Sequence, residues 1–260
     1  MFDFQCTGAG PALLFLPGSY GHYSAWRDIQ SSLSGQYRLI STSLPGYGGS
    51  LETRSKHTND TTEMIAFVEW LIKKIGEPVH LIGHSFGGLV SLASVLDGRS
   101  KPLSMITFEA NPLYALPDSG PRPFDVDLND LTRRFRAALD AKDPKAASII
   151  IDFYSQPGMF QSMPETFQKY CEDSAPTNRF DWQVAEGFTP RYSEFSAIQI
   201  PYTIVRGEHA VPSVKNITEQ LIRHAPQSRS EVVLGANHFL ITTHAKDCAK
   251  IIDTHMQLFG

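Results

Sequence analysis

Cysteine is scarce in this sequence. The 260 residues include three cysteines, which lie far apart at Cys6, Cys171 and Cys248. A small secreted domain held together by disulfides usually carries more cysteines, in an even number. The small, odd count therefore argues against a disulfide framework and indicates reduced thiols, as expected of a cytoplasmic protein.

The sequence also lacks blocks of like charge and long hydrophobic runs. Its 23 Lys and Arg and 27 Asp and Glu give a net charge of −4. Surfaces that bind nucleic acid or anionic membranes need clustered basic residues, and a membrane-spanning helix needs about 20 apolar residues. The first residues, MFDFQCTGAG, lack the basic start and apolar stretch of a signal peptide. We therefore expect no nucleic-acid or membrane partner.

Short apolar runs alternate with amphipathic stretches over the first 112 residues. ALLFLPG, YRLIST, PVHLIG and LSMITF predict buried strands, and the stretches between them predict helices. The alternation resumes near residue 196 with YTIVRG, SVKNITEQLIRHA, RSEVVLG and a final helix. This order is typical of a parallel sheet covered by helices on both faces. The predicted fold class is therefore α/β, with a mostly parallel sheet flanked by helices.

Strand patterns are missing between residues 113 and 195. This segment contains the helical stretches LNDLTRRFRAALDAKD, PKAASIIIDFYS and PETFQKYCEDS, and it is rich in aromatic residues. Surface helices that dock on the core through their aromatics are one explanation. An inserted helical cap is favoured because the strand–helix alternation resumes afterwards. The prediction is a core domain of residues 1–112 and 196–260 with a cap at 113–195.

The pentapeptide GHSFG places Ser85 between a predicted strand and a predicted helix. Glycines two residues to either side leave room for a tight turn that holds a serine in a strained conformation with its hydroxyl exposed. The start of the helix favours developing negative charge at the same place. Ser85 is therefore a candidate nucleophile, and the alternative is a Gly/Ser-rich turn without chemistry.

Over nearly its whole length the chain resembles the α/β-hydrolase superfamily. The resemblance rests on GHSFGG, on residues 13–50 (LLFLPG to LPGYGGS) and on GANHF near the C-terminus. It implies the α/β-hydrolase fold and a catalytic serine, acid and histidine. Pro17 stands where the family usually has His, and Ser43 where it usually has Asp. Neither position is a reacting group in the family.

The resemblance also implies the two backbone donors of an oxyanion hole, which a tetrahedral intermediate needs. One maps to the N–H of Phe86, and the other to the N–H of Ser19, with Tyr20 as the less favoured position. Because both donors are backbone groups, Pro17 can reshape the loop without removing a donor. The Tyr20 side chain could assist the oxyanion or simply line the pocket.

His238 stands out among the nine histidines as the candidate base. It lies in SEVVLGANHF, after the last predicted strand, where the resemblance places the residue that takes the serine proton and returns it to the leaving group. His244 opens the final helix, and His209 lies in a loop where a solvated histidine is more common. No HExxH, Cys-x-x-Cys or paired-carboxylate spacing indicates a metal, and no cofactor is expected.

The acid that should hold this histidine is missing from its usual place. The family pattern G-x-x-D after YTIVRG falls on Ala210, whose methyl group cannot accept a hydrogen bond. The leading replacement is Glu109 at the preceding strand end, MITFEANP, because some members, including a branch of the haloalkane dehalogenases, carry their acid there. Carboxyl ends of parallel strands gather on one edge. Glu208 and an acid-free dyad are the alternatives.

A triad of Ser85, Glu109 and His238 predicts a hydrolase that cleaves an ester, lactone or thioester through an acyl-enzyme. Serine excludes the carboxylate-nucleophile chemistry of the dehalogenase and epoxide-hydrolase members. The aromatic insertion favours a small or medium apolar substrate. The candidate pocket residues are Tyr20, His84 and Trp182. Carbon–carbon bond hydrolases, lyases, cofactor-free oxygenases and ligand receptors share the fold and stay alternatives. A monomer and a homodimer are equally compatible with the sequence.

Overall fold

Seven strands form one sheet in a computed structural model that describes residues 2–33, 35–58 and 60–260. The strands are β1 (Phe4–Thr7), β2 (Ala12–Leu16), β3 (Arg38–Thr42), β4 (Val79–His84), β5 (Ser104–Phe108), β6 (Tyr202–Gly207) and β7 (Ser228–Val233). Their spatial order is β1-β3-β2-β4-β5-β6-β7. β1 pairs antiparallel with β3, and the other neighbouring strands are parallel. The predicted α/β class with a mostly parallel sheet is confirmed.

Ten α-helices accompany this sheet in the described ranges. They are α1 (Arg27–Leu33), α2 (Thr62–Ile75), α3 (Phe86–Asp97), α4 (Asp125–Asp140), α5 (Ala146–Phe153), α6 (Met159–Ser162), α7 (Glu165–Gly187), α8 (Pro212–His224), α9 (Leu240–Thr243) and α10 (Ala245–Phe259). Helices α4 to α7 lie between β5 and β6, within the segment predicted as a cap. The division of the chain into domains at residues 113 and 195 stays a prediction.

Alternate residues of β2 supply two hydrophobic layers, one on each face of the sheet. Leu14 and Leu16 pack in the layer that includes buried residues of α2, α3 and α8. Leu13 and Phe15 pack in the layer that includes buried residues of α1 and α10. Because successive side chains of a strand point to opposite faces, a strand covered on both faces is apolar throughout.

Two elements differ from the sequence-based expectation. β1 was not anticipated, because its four residues are mostly exposed and its place depends on pairing with β3. α7 continues beyond PETFQKYCEDS, through Pro176, as far as Gly187. A proline inside a helix removes one backbone hydrogen bond and costs about 3 kcal/mol. Buried residues in the second half of α7 offset this cost. They are Asn178, Asp181, Trp182, Val184 and Ala185.

Two buried histidines, His80 on β4 and His255 on α10, lie near the N-terminal ends of the central strands. Ser104 Oγ is 2.7 Å from His80 Nδ1 and 2.7 Å from His255 Nε2. His255 Nδ1 is 2.7 Å from Thr203 Oγ1. Burial lowers the pKa of His80. Burial, followed by the charges of His80 and Arg229, lowers the pKa of His255 from 6.5 to about 4. Both rings are therefore neutral in the folded protein near pH 7.

We expect this pair to make the fold sensitive to acid. Below pH 6.5 the unfolded chain binds a proton at position 255 that the folded chain rejects, so stability is lost as the pH falls from 6.5 towards 4. The full loss from His255 is about 3 kcal/mol. Denaturant unfolding at pH 7.5 and pH 5 should show about 2 kcal/mol of this loss, because pH 5 is still above the folded pKa. His255→Gln should flatten this dependence, whereas the matched change of the exposed His57, His57→Gln, should preserve it. An unchanged slope in His255→Gln would contradict the assignment.

Candidate active site

Ser85 stands between β4 and α3 at the carboxyl edge of the sheet. Its backbone has φ 52 and ψ −119, a left-handed conformation that costs a non-glycine residue about 1–3 kcal/mol. A side chain at Gly87 would collide with the carbonyl oxygen of Pro17, so this turn requires the second glycine of the motif. The local sequence therefore folds into the strained strand-to-helix turn that the motif predicts.

Ser85, His238 and Glu109 form one hydrogen-bonded chain. His238 Nε2 lies 2.9 Å from Ser85 Oγ, and His238 Nδ1 lies 2.7 Å from Glu109 Oε2. A carboxylate oxygen only accepts, so the Nδ1–H of His238 donates to Glu109. In the neutral ring Nε2 is then free to accept the serine proton. All three side chains are buried, with Glu109 at 1% exposure.

The sheet register explains how Glu109 reaches His238. Glu109 follows β5, and its N–H donates to the carbonyl of Val205 on β6 at 2.7 Å. Its φ of 47 turns the chain at the strand end. Oε1 accepts the N–H of Gly207 at 2.8 Å, so the carboxylate lies across the end of β6. A glutamate one strand away thus supplies the carboxylate that Ala210 lacks.

The other candidates for the acid and the base lie outside the site. Glu208 is exposed, and its Oε2 accepts the N–H of Gly235 at 2.8 Å. His209 is exposed in the same loop. The ring of His244 contacts the hydroxyl of Thr243 at the start of α10. The structure therefore brings together the three residues favoured by sequence and leaves these alternatives outside the site.

The loop after β2 passes directly over Ser85. A Cβ built on Gly18 would lie 3.0 Å from the Cβ of Ser85 and 2.9 Å from His84 Nδ1, so this backbone is in close contact with the serine. Ser19 follows immediately. Phe86 supplies the first N–H of α3, a position that an α-helix leaves without an intrahelical acceptor. Both predicted oxyanion donors are therefore beside Ser85.

A charged cluster, which comprises the buried Arg54 and Asp181 and the partly exposed Glu52, contacts this loop through Ser19. Asp181 lies on α7 and pairs with Arg54. Asp181 Oδ2 also accepts the hydroxyl of Ser19 at 2.5 Å and that of Tyr47 at 2.6 Å. Burial and then the charge of Asp181 raise the pKa of Tyr47, so its hydroxyl stays protonated and donates. α7 thereby fixes the side chain of Ser19.

The three predicted pocket residues all line one cavity with Ser85 and His238. The hydroxyl of Tyr20 donates to Asn178 Oδ1 at 3.0 Å, so it is held by α7 and not directed at Ser85. Trp182 forms part of the wall. His84 Nε2 donates to the carbonyl of His238 at 2.9 Å. Burial and then the proximity of His238 lower the pKa of His84 to about 3.

Two further residues touch the reacting groups. The ring of Tyr154, at the end of α5, stacks on the imidazole of His238 with centroids 4.2 Å apart and an interplanar angle of 18°. Asn111 Nδ2 donates to the hydroxyl of Tyr154 at 2.9 Å and lies 3.5 Å from Ser85 Oγ. The helical segment therefore covers the face of His238.

The cavity lies between the sheet edge and helices α5 and α7. The space free of protein atoms, its open mouth included, is about 620 Å³. Its wall is mostly apolar or aromatic, with contributions from Leu113, Ile150, Ile151 and Phe239. Among the described residues that line it, none is Lys or Arg. This composition suits a small, largely apolar ligand placed against Ser85.

Sequence reasoning missed Arg54, Asp181, Tyr154 and Asn111. One signal was available for α7, because Asn178, Asp181, Trp182 and Ala185 recur at helical spacing and combine polar with apolar side chains. The helix predicted from the sequence ended at Ser174, so this pattern in the second half of α7 was not recognised. The contacts of Arg54 and Tyr154 join distant segments and had no local signal.

The described ranges contain no group of three His, Cys, Asp or Glu side chains arranged to hold a metal ion. Within the same ranges, no helix combines the length and the apolar character needed to cross a membrane.

The chain belongs to the alpha/beta hydrolase family, whose model matches residues 13–251. A fluoroacetate dehalogenase from Burkholderia sp is 31% identical over 113 residues, 42% of this chain and 37% of that protein. A pimeloyl-(acyl-carrier protein) methyl ester esterase from Aeromonas salmonicida is 31% identical over 119 residues, 44% of this chain and 43% of that protein. The matched stretches thus span less than half the length of these curated relatives.

Solved structures share the fold over almost the whole chain. MenH from S. aureus superposes with a TM-score of 0.78 at 17% identity, covering 99% of this chain and 98% of that one. A thermophilic esterase from Thermogutta terrifontis has a TM-score of 0.78 at 21% identity, covering 99% and 93%. At such identities the likeness concerns the fold alone.

Proposed function

We propose that this protein is a serine hydrolase that cleaves a carboxylic ester, lactone or thioester through an acyl-enzyme on Ser85. The observation that carries the proposal is the continuous hydrogen-bonded chain from Ser85 Oγ through His238 to Glu109. This arrangement activates a hydroxyl that is otherwise a weak nucleophile at neutral pH. Ser85 also has the strained backbone expected of a nucleophile elbow.

In the acylation half-reaction, Ser85 Oγ attacks the substrate carbonyl carbon and its proton passes to His238 Nε2. Glu109 keeps Nδ1–H in place and stabilises the imidazolium. The carbonyl oxygen becomes an oxyanion that accepts the N–H groups of Ser19 and Phe86. Collapse of this intermediate breaks the bond to the alcohol or thiol, which leaves with the proton from His238.

In the deacylation half-reaction, His238 takes a proton from water, and the resulting hydroxide oxygen attacks the acyl carbon. The same backbone donors hold the second oxyanion. Ser85 then leaves and recovers its proton from His238, which releases a carboxylic acid. Tyr154 covers His238 and shields the imidazole from bulk water.

The name of one relative agrees with this proposal, and the name of the other does not. Methyl ester hydrolysis, the activity in the name of the Aeromonas salmonicida relative, agrees with a serine nucleophile. Fluoroacetate, the substrate in the name of the Burkholderia relative, is a small anion. A cavity lined without Lys or Arg among its described residues supplies no cation for it. Ester cleavage is therefore the better-supported activity.

A screen of p-nitrophenyl esters from acetate to decanoate tests the proposal. We expect turnover of short and medium chains, with an optimum where the acyl chain fills the cavity. Release of p-nitrophenol in a single equivalent, without turnover, would indicate a receptor or a lyase. Failure to react with any ester or thioester would overturn the proposal.

A further inference from the structure

The lining of the cavity carries a carboxylate and no Lys or Arg among the described residues. Asp181 is the one carboxylate that lines it in the described part of the chain, and Glu109 lies behind His238. His84, whose pKa burial lowers to about 3, is neutral near pH 7. Burial also raises the pKa values of Tyr20 and Tyr154, so their hydroxyls carry no charge. A ligand in the cavity therefore faces one carboxylate and, among the described lining residues, no Lys or Arg.

Two arginines lie against the rings of lining residues, and both are paired with carboxylates. Arg122 is 4.5 Å from the ring centroid of Tyr114 and pairs with Asp125. Arg54 is 5.9 Å from the ring centroid of Phe86.

Arg54 has a side chain with 0% exposure, and its Nε and Nη2 donate to the two oxygens of Glu52 at 2.8 and 2.9 Å. Its Nη2 also donates to the carbonyl of Pro45 at 2.8 Å, and its Nη1 donates to Asp181. Burial alone would lower the pKa of Arg54, but Asp181 and Glu52 outweigh burial and raise it.

One guanidinium between two carboxylates leaves the charged cluster with a net charge of −1. Asp181 accepts hydrogen bonds from four donors, which are Ser19, Tyr47, Asn178 and Arg54. Asp181 therefore places one of the two carboxylates of the cluster at the cavity wall. An anionic substrate group entering there would lose its water, meet a like charge and find no donor with a positive charge.

We infer that the charged cluster makes the cavity select substrates with no negative charge at the acyl end and reject length-matched anionic ones. This inference rests on the proposed function and names its substrate class. Asp181 and Glu52 act here as specificity-determining residues. They set the preference by repelling substrates that carry a negative charge. The favoured substrates are neutral esters with an aliphatic or aromatic acyl group.

Three p-nitrophenyl esters of equal chain length test the inference: those of hexanoic acid, adipamic acid and adipic acid. Their acyl chains end in a methyl group, a neutral amide and a carboxylate. The amide and the carboxylate are nearly isosteric, so their comparison separates charge from polarity. We expect kcat/KM for the adipate ester to be about 100-fold below that of the amide ester, since like-charge contact in a desolvated site is costly.

Variants of the cluster locate the origin of the preference. Asp181→Asn and Glu52→Gln each remove one negative charge, and each should reduce the amide-to-carboxylate ratio by about 10-fold. Glu52 does not line the cavity and is 24% exposed, so its variant carries the test if Asp181→Asn fails to fold. Glu77→Gln removes a surface charge paired with Arg38 and should leave the ratio unchanged.

A ratio near one in the wild type, or a ratio unaffected by Asp181→Asn and Glu52→Gln, would overturn the inference. If Glu77→Gln lowered the amide-to-carboxylate ratio as much as the cluster variants do, the net charge of the protein would be the cause. That result would also overturn the inference. If the wild type turns over none of the three esters, the proposed function fails separately. Calorimetric affinities of the same esters for Ser85→Ala then decide the charge preference, and equal affinities count against it.

Discussion

Replacing Ser85 with alanine should lower kcat for the best p-nitrophenyl ester by about 10⁵- to 10⁶-fold, the largest effect expected of any single change. Without Oγ no acyl-enzyme forms, and the residual rate reflects binding and the oxyanion donors alone. The substitution removes one oxygen from a side chain that is 6% exposed and keeps the backbone turn, so the protein should stay folded. Steady-state kinetics with a thermal melt provides the measurement.

Ser94→Ala is the matched control for this experiment. Ser94 is also a buried serine of α3, and its Oγ donates to the carbonyl of Val90 at 2.8 Å. Loss of this bond should alter stability slightly and leave kcat within about twofold, because the site retains all its groups. A Ser85→Ala variant with activity equal to that of Ser94→Ala would show that the nucleophile is another residue.

Glu109→Gln should produce the second largest effect, a fall in kcat of about 10³- to 10⁴-fold. Both carboxylate oxygens accept hydrogen bonds, one from Gly207 N–H and one from His238 Nδ1–H. Glutamine offers one oxygen and one NH₂ group, so either orientation places a donor against a donor. The histidine is then held in the wrong tautomer or the side chain leaves its position. Steady-state kinetics measures kcat, and circular dichroism confirms folding.

Glu208→Gln tests whether Glu208 rather than Glu109 is the acid that holds His238. The carboxylate of Glu208 is exposed and accepts the N–H of Gly235. This bond lies outside the reacting groups, so we expect kcat to change less than about threefold. Wild-type turnover in Glu109→Gln together with a large loss in Glu208→Gln would reverse the assignment of the acid.

The site residues predicted from the sequence follow predicted strands, and either a local motif or the family resemblance pointed to each of them. Ser85 follows β4 and Glu109 follows β5, and the family resemblance singled out the loop of His238. Because the carboxyl ends of parallel strands share one edge of the sheet, the predicted fold alone placed these residues near each other. The empty position at Ala210 directed attention to Glu109.

The residues missed by sequence reasoning depend on long-range packing. Ser19 and Asp181 are separated by 162 positions, and Arg54 and Asp181 by 127. Helical periodicity marks the buried face of α7 but does not specify which loop that face contacts. β1 was missed for a similar reason, because its pairing with β3 comes from outside its own four residues. The rejection of anionic substrates that we infer rests on such contacts and, unlike the apolar character of the substrate, had no sequence signature.

The central claim is that Ser85 carries the acyl group, and peptide mapping after a rapid acid quench tests it most directly. Wild-type protein mixed with a p-nitrophenyl ester should yield a peptide containing Ser85 with the mass of the acyl group added. The adduct should be absent from Ser85→Ala treated in the same way. Ester turnover with the acyl group on another residue, or with no adduct at all under conditions that trap acyl-enzymes, would contradict the account.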